Sequence, residues 1–136
     1  MNRILRYGWA FPTTLLGLLF ANLLWLTGAR AQRVEGVLEV SGGWLAQRLT
    51  QRSGFAALTL GHVVLGCSAD CLQRLRVHEH VHVRQAERWG FLFVPAYLLA
   101  GLWQLVCGRH AYYDNPFERQ AFDAESLECT IQPLKD

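Results

Sequence analysis

The apolar residues of this chain fall into blocks, and the spacing within each block predicts an element. Residues 9–26 are almost wholly apolar, and no charged residue lies between Arg6 and Arg30. About 20 residues of helix cross the hydrocarbon core of a bilayer. The first block therefore predicts an N-terminal hydrophobic helix that a membrane could accommodate.

The next two blocks have the alternation that is typical of strands. Residues 34–40 alternate around Gly36, and residues 57–65 form a longer apolar run with Gly61 inside it. A short amphipathic stretch, residues 44–49, separates them. We expect two strands, the second bent at Gly61, that form a short β-hairpin ahead of the next helix.

From residue 71 the apolar spacing becomes helical. Asp70 followed by Gln73 predicts a capping box, and Gly90 predicts a stop, so the expected helix covers residues 71–89. The alternative is a strand on which three histidines alternate as surface groups or an adventitious metal patch. The polar flanks and the caps favour the helix.

Two further helices are expected in the C-terminal part. Residues 91–107 are mostly apolar and end before Gly108, and a helix of that length spans roughly 20 to 25 Å. Asn115 as N-cap and Pro116 at the first helical position predict a last helix over residues 116–127. The predicted fold class is α+β and mainly α, with the hairpin between the N-terminal hydrophobic helix and three later helices.

Composition adds a membrane to this picture. The chain has 136 residues, 51% of them hydrophobic, and its net charge of +2 comes without a basic run, so no nucleic-acid partner is expected. Residues 1–31 are assigned as a membrane anchor or signal segment and residues 32–136 as a metal-binding domain. A cleavable signal peptide ending near Ala31 is the alternative to an uncleaved anchor. The positive-inside rule decides no orientation.

The chemistry of the chain is concentrated in His78-Glu79-x-x-His82. On a helix, residues four apart lie on the same face, so two imidazoles can bind one metal ion there. Glu79 would then stand beside the ion as general base for an attacking water. His80 points about 100° away from its neighbours and is not expected to be a ligand.

Two histidines leave a zinc site one protein ligand short, and a carboxylate from a later helix is the expected third. Glu118, in the first turn of the last predicted helix, is the candidate, with Asp123 and Glu125 as fallbacks. The alternative for Glu118 is a capping box with Asn115, which needs no metal.

Further polar residues are candidates for a second shell or for stabilising an oxyanion. They are His62, Tyr112, Tyr113 and Asp123, with His110 as a further donor. Each also has a structural explanation, such as aromatic packing or a loop hydrogen bond. The four cysteines, at 67, 71, 107 and 129, are expected to be inert or bridging.

His-Glu-x-x-His followed by a later helix that bears Asn-Pro-x-Glu resembles the gluzincin group of zinc metallopeptidases. The runs 78–90, 95–97 and 114–119 look like those of small bacterial proteins predicted to be membrane-associated zincins, and the likeness covers about residues 55–125. It implies a minimal zincin-like domain that binds Zn²⁺ and hydrolyses peptide or protein substrates. It also implies a bacterial inner membrane location, or the periplasmic side if residues 1–31 are cleaved.

By this resemblance His78, His82 and Glu118 are the zinc ligands and Glu79 is the catalytic base. A complete crossing by the segment 91–107 would put Glu118 on the other side of the membrane from the histidines. Either the segment therefore folds back, packed on the helix of residues 71–89 or half-inserted in the membrane, or Glu118 is not a ligand; we expect the fold-back. The alternative function is a non-catalytic, zinc-stabilised membrane adaptor or an inactive peptidase homologue, since the chain has little room for substrate-binding elements.

Overall fold

The computed structural model describes residues 3–131. The fold is α+β and mainly α, as predicted. Six helices and four strands follow in chain order: α1 Arg3–Trp9, α2 Phe11–Leu26, β1 Arg30–Val34, β2 Val37–Ser41, α3 Gly43–Ser53, β3 Ala57–Leu60, β4 Val63–Gly66, α4 Ala69–Trp89, α5 Phe93–Val106 and α6 Pro116–Ile131, with a 3₁₀ turn at Gly90–Leu92 between α4 and α5.

The sheet has four strands in the order β1-β2-β4-β3, so the expectation of two strands was wrong. Each predicted strand region contains a reversal of the chain. Glu35 and Gly36 have positive φ angles of 51° and 86°, which is the backbone of a two-residue hairpin turn. Gly61, with φ 61°, closes the second hairpin instead of bending one strand. β2 and β4 join the two hairpins in parallel.

Alternating strand residues separate two apolar layers. Val63 and Leu65 of β4 face α2 and α3, where Leu24 and Ala46 belong to the same core cluster. Val64 faces the other way and packs with Leu72 and Val83 of α4. The sheet therefore lies between an α2–α3 layer and α4.

The N-terminal helix α2 is packed on the sheet over its length. Its buried residues are Thr13, Gly17, Ala21 and Leu24, and a Cβ at Gly17 would lie 2.7 Å from the carbonyl oxygen of Leu60. The rest of its surface is exposed. The assignment of residues 1–31 as an anchor or signal segment stays a prediction.

α4 starts two residues earlier than expected, because Ser68 is the N-cap. Its φ of −154° is extended, and its hydroxyl accepts a hydrogen bond from the Cys71 N–H at 3.1 Å. The capping box of Asp70 and Gln73 was therefore wrong. The predicted stop at Gly90 is confirmed, since Gly90 has φ 59° and ψ −134° and ends the helix.

The run Ala69–Val106 is long and apolar enough to cross a membrane by length and composition. The helical path is nevertheless interrupted at Gly90, and α5 leads into a loop that returns the chain to α4. Asn115 caps α6, accepting from the Phe117 N–H at 3.1 Å. α6 packs along α4. The expected fold-back of residues 91–107 is confirmed, and α6 continues beyond the predicted end at residue 127.

Candidate metal centre

His78 and His82 lie one turn apart on the buried side of α4. Their Nε2 atoms are 3.3 Å apart, and the exposed fractions of the two residues are 4% and 6%. The i, i+4 spacing predicted from the sequence therefore brings two imidazole nitrogens to one point.

Glu118 reaches the same point from the first turn of α6. Its Oε2 lies 3.0 Å from His78 Nε2, and its Oε1 lies 3.4 Å from His82 Nε2. Ligands about 2.0 to 2.1 Å from a tetrahedral zinc ion are separated by about 3.3 Å. The three side chains thus form a group that could bind a metal ion.

The capping-box explanation for Glu118 is contradicted by this geometry. Asn115 caps α6 without it, and the Glu118 carboxylate is turned away from the helix start toward the two histidines. Glu118 is only 3% exposed. Its burial is therefore explained by contacts with α4 and α5, not by a role in starting α6.

The electrostatics of the group keep Glu118 ionised. Burial by itself disfavours the carboxylate, but the contacts with His78, His82 and Tyr97 outweigh burial and lower the pKa of Glu118 to about 2. An ionised carboxylate and neutral imidazole nitrogens are the forms that bind metal ions. No Arg or Lys side chain forms an ion pair with Glu118 within residues 3–131.

Gln85 orients the ring of His82 through Nδ1, the nitrogen that does not face Glu118. His82 Nδ1 lies 2.8 Å from Gln85 Oε1, so Nδ1 carries a proton and Nε2 is the nitrogen that faces Glu118. Gln85 in turn donates to the Phe117 carbonyl at 3.0 Å and to Gln120 Oε1 at 2.7 Å. The orientation of a ligand on α4 is thereby tied to the first turn of α6.

His78 is held less tightly. Its Nδ1 lies 3.5 Å from Glu125 Oε2 and has no hydrogen-bond partner within residues 3–131. Its ring packs against the Phe122 ring, with centroids 4.8 Å apart. Glu118, Phe122 and Glu125 recur at helical spacing, so one face of α6 covers the ring.

Glu79, the predicted base, is held by a strand residue. The Thr59 hydroxyl of β3 donates to Glu79 Oε2 at 2.6 Å. Burial raises the pKa of Glu79, and the Thr59 hydrogen bond and the two histidines oppose that rise only in part. A carboxyl with a raised pKa is suited to accept a proton during a reaction near neutral pH.

Two tyrosines surround the outer side of Glu118. The Tyr97 hydroxyl of α5 donates to Glu118 Oε1. Tyr112, a predicted second-shell residue, also borders this carboxylate, and burial followed by the Glu118 charge raises its pKa. The structure therefore brings Tyr112 to the group, as the sequence suggested, and adds Tyr97.

His62 lies elsewhere. It is in the β3–β4 turn, where Nδ1 is 3.3 Å from the Thr14 hydroxyl and Nε2 is 3.1 Å from Glu87 Oε1. Its ring stacks on Tyr7 at 4.1 Å. These contacts join α1 and α2 to α4, so His62 acts in packing and is not among the residues around Glu118.

Three other candidates also stay outside the group. Tyr113 is 63% exposed and packs on the ring of Phe122. His110 accepts hydrogen bonds from the backbone of its own loop, as the structural explanation for it required. Asp123 is on the exposed side of α6. Glu125, the other fallback ligand, approaches the Nδ1 atom of His78 at 3.5 Å, on the other side of the ring from Glu118.

Three residues of the site were not predicted from the sequence. Thr59, Gln85 and Tyr97 are ordinary members of a strand and two helices, and their roles depend on contacts between elements. The only signal was that Gln85 and Tyr97 fall inside the runs on which the family resemblance rests. The four cysteines are free thiols.

No protein family, curated protein or solved structure matches this chain. The resemblance to gluzincins therefore stays a prediction. What remains for the function is the arrangement of side chains around His78, His82 and Glu118.

Proposed function

We propose that this protein is a membrane-associated zinc metallopeptidase. His78, His82 and Glu118 would hold the ion and Glu79 would act as general base. The observation that carries the proposal is the spacing of the three ligand atoms at 3.0 to 3.4 Å, which fits one tetrahedral ion. The same turn of α4 also carries a second carboxylate, that of Glu79, which the Thr59 hydroxyl holds at 2.6 Å.

The donor set supports zinc as the metal. Two imidazole nitrogens and one carboxylate oxygen, with a fourth position left for a water or a substrate, are typical of catalytic zinc sites. Zinc bound there would supply a Lewis acid that polarises a peptide carbonyl and makes water more acidic. Gln85 and Tyr97 would keep the ligand atoms in place.

Glu79 would take a proton from the attacking water and pass it to the leaving amine. Thr59 keeps its carboxylate on the inner side of α4 through the 2.6 Å hydrogen bond. Among the predicted oxyanion donors, Tyr112 is the one that Glu118 affects, because burial and then the Glu118 charge raise the pKa of its hydroxyl.

The strand that carries Thr59 offers a place for the substrate. β3 is at the edge of the sheet, with β4 on one side and no strand on the other within residues 3–131. An extended peptide can add to such an edge through backbone hydrogen bonds. Thr59 would then link the bound peptide to the base, so that substrates are peptides or proteins in an extended conformation.

The apolar surface supports a location at a membrane, for which we propose the bacterial inner membrane, or its periplasmic side if residues 1–31 are removed. Large leucine and aromatic side chains on α2 and α5 are exposed and not buried in the fold; they include Leu15, Leu19, Trp25, Leu98, Leu102 and Trp103. Apolar surface of this extent indicates contact with lipid or with another protein.

A second candidate is a non-catalytic adaptor that zinc stabilises. The observation that favours it is the enclosure of the site, because His78, Glu79, His82 and Glu118 are each exposed by 6% or less. A substrate carbonyl needs an opening beside these residues, whereas a structural zinc ion does not.

The variant Glu79→Gln separates the two functions. Purified protein in lipid vesicles is analysed for zinc and incubated with unfolded and lipidated protein substrates. For a peptidase, we expect Glu79→Gln to retain zinc and to lower the cleavage rate by about 10²- to 10⁴-fold, the usual contribution of a general base.

Asp70→Asn is the matched control, because Asp70 is an exposed acid in the first turn of the same helix. It should leave both zinc content and cleavage unchanged. Wild-type protein that holds one zinc ion and cleaves none of the substrates would instead support the adaptor. Wild-type protein without zinc would overturn both functions.

A further inference from the structure

The helix α2 exposes a broad apolar surface on the side that faces away from the sheet. The opposite side of α2 packs on β3 and β4 through Gly17 and Ala21. Six large side chains on the outer side are 45% to 70% exposed: Leu15, Leu16, Leu19, Phe20, Leu23 and Leu26. A patch of this composition on a single helix indicates a partner surface.

The neighbouring helix α3 lies on the same face of the sheet and has a different outer side. Ala46 of α3 and Leu24 of α2 belong to one core cluster, so the two helices point their outer sides in the same direction. The outer side of α3 carries Trp44, Arg48 and Arg52 at intervals of four residues. Trp44 is 61% exposed. The three side chains border a shallow depression that Gln47 and Gln51 complete.

The two outer surfaces are continuous. α3 begins at the C-terminal end of α2, where the Trp44 N–H donates to the Thr27 carbonyl at 3.4 Å. Within residues 3–131, Arg48 and Arg52 make no ion pair. The apolar side of α2 is therefore bordered by an aromatic residue and two free guanidinium groups, the combination found where helices meet phospholipid headgroups.

The strand β1 decides how α2 can meet a bilayer. β1 follows α2 and runs back beside it, since Gly36 in the next turn lies against the Tyr7 hydroxyl of α1. The outer edge of β1 is unpaired within the described chain, and its exposed residues include Arg30, Gln32 and Arg33. Exposed strand edges do not occur in hydrocarbon. α2 therefore cannot cross a bilayer with this sheet attached to it.

We propose that the α2–α3 face lies flat on an anionic phospholipid bilayer. α2 is parallel to the membrane plane with its outer side among the acyl chains, and the Trp44–Arg48–Arg52 side of α3 binds the phosphates of the headgroups. Arg33 lies on the same sheet face, because its partner in the β1–β2 register is Leu38 of the α2–α3 layer. The proposal specifies the membrane association in the proposed function and is independent of the metal site.

The first test measures binding to vesicles. The full chain, purified in detergent, is diluted into preformed vesicles of phosphatidylcholine, with or without phosphatidylglycerol, and bound protein is separated by flotation. Wild-type protein should bind the anionic vesicles more tightly. Arg48→Gln combined with Arg52→Gln should weaken that binding by roughly 30-fold, since each basic residue at an anionic surface contributes about 5-fold.

Arg74→Gln combined with Arg119→Gln is the matched control, because it removes the same charge from exposed positions on α4 and α6. It should bind like wild type. Equal weakening by both pairs, or equal binding of wild type to both kinds of vesicle, overturns the headgroup assignment. Unfolding temperatures of wild type and the two double variants exclude loss of the fold as the cause.

The second test measures the orientation of α2. Gly8→Cys and Arg30→Cys are introduced separately into a chain whose four cysteines are replaced by alanine. Both sites are exposed near opposite ends of α2, and a side chain at Gly8 has open space. A membrane-impermeant maleimide added outside the vesicles should label both to the same extent. Labelling of only one overturns the in-plane orientation, and zinc content of the same samples reports the metal site separately.

Discussion

Helix α4 contributes to two polar clusters that each contain histidine and a buried glutamate and that differ in what they can do. On one side His78 and His82 face Glu118 of α6. On the other side Arg76 and His80 face Glu39 of β2. Each cluster has one carboxylate that is exposed by no more than 3%.

The difference lies in the cation that the fold supplies. Arg76 forms a two-pronged pair with Glu39, with Nε–Oε1 at 2.8 Å and Nη2–Oε2 at 2.9 Å, and Gln32 donates to Oε2 at 2.7 Å. His80 stays 3.6 Å from Glu39. Glu39 is thus neutralised by an arginine of the protein, whereas no Arg or Lys side chain forms an ion pair with Glu118 within residues 3–131.

A buried glutamate near histidines is therefore a ligand candidate only where no guanidinium reaches it. The Glu118 group could bind a cation from solution, whereas Arg76 already neutralises the Glu39 group. We expect the first to respond to metal and the second to respond only through stability.

The largest expected effect is the loss of zinc from Glu118→Ala. Removal of one of three ligands should lower zinc affinity by more than 100-fold, beyond the 10- to 100-fold loss that follows from damage to groups behind a ligand. The measurement is zinc competition against a chromophoric chelator. Asp123→Ala removes an exposed acid five residues further along α6 and should have no effect. Unchanged zinc affinity in Glu118→Ala would remove Glu118 from the ligand set.

Arg76→Met tests the other cluster. It leaves the Glu39 carboxylate buried without its cation, and we expect the free energy of unfolding to fall by about 3 kcal/mol, the low end for breaking a buried pair, because Arg76 is partly exposed. Denaturant unfolding in detergent measures it, with Arg74→Met as the exposed control on the same helix. Zinc affinity should not change. A loss of zinc here would mean that the two clusters act as one.

Gln85→Leu tests the orientation of His82. The variant removes the hydrogen bond to Nδ1 and the two bonds to α6, so zinc affinity should fall by about 10- to 100-fold. Gln73→Leu, at an exposed position of α4, is the control. Gln85→Glu retains an acceptor for the Nδ1 proton and should recover part of the affinity. If Gln85→Glu and Gln85→Leu bound zinc with equally low affinity, the role of Gln85 would be packing alone.

The smallest effect is a pH dependence that belongs to the Glu39 cluster. Burial opposes ionisation of Glu39, but Arg76 and Gln32 outweigh it and lower its pKa in the folded protein. The resulting stabilisation is present above the unfolded pKa of about 4.3 and is lost as the pH falls through the folded pKa. The stability difference between wild type and Arg76→Met should therefore narrow in acid. A constant difference would show that Glu39 does not titrate in this range.

The sequence by itself determined much of this protein. Helical spacing placed His78 and His82 on one face of α4, and the block pattern predicted the apolar helices and the last helix, which starts at Pro116. These are local properties, because propensity, capping and periodicity act within a few turns of chain. The N-cap of α4 and the two hairpins were missed, since Ser68 and the glycines at 36 and 61 are compatible with several backbone conformations.

Only the tertiary structure decided which cluster each charged residue joined. Glu118 had an equally good local explanation as a cap, and nothing near Glu39 in the chain shows that Arg76 will neutralise it. Side-chain contacts made Thr59, Gln85 and Tyr97 parts of the site. Thr59 lies 20 residues from Glu79 in the sequence, and Tyr97 lies 21 residues from Glu118. The geometry of one helix fixes the spacing of the side chains along it. Which charged side chain neutralises a buried glutamate depends instead on which elements pack together.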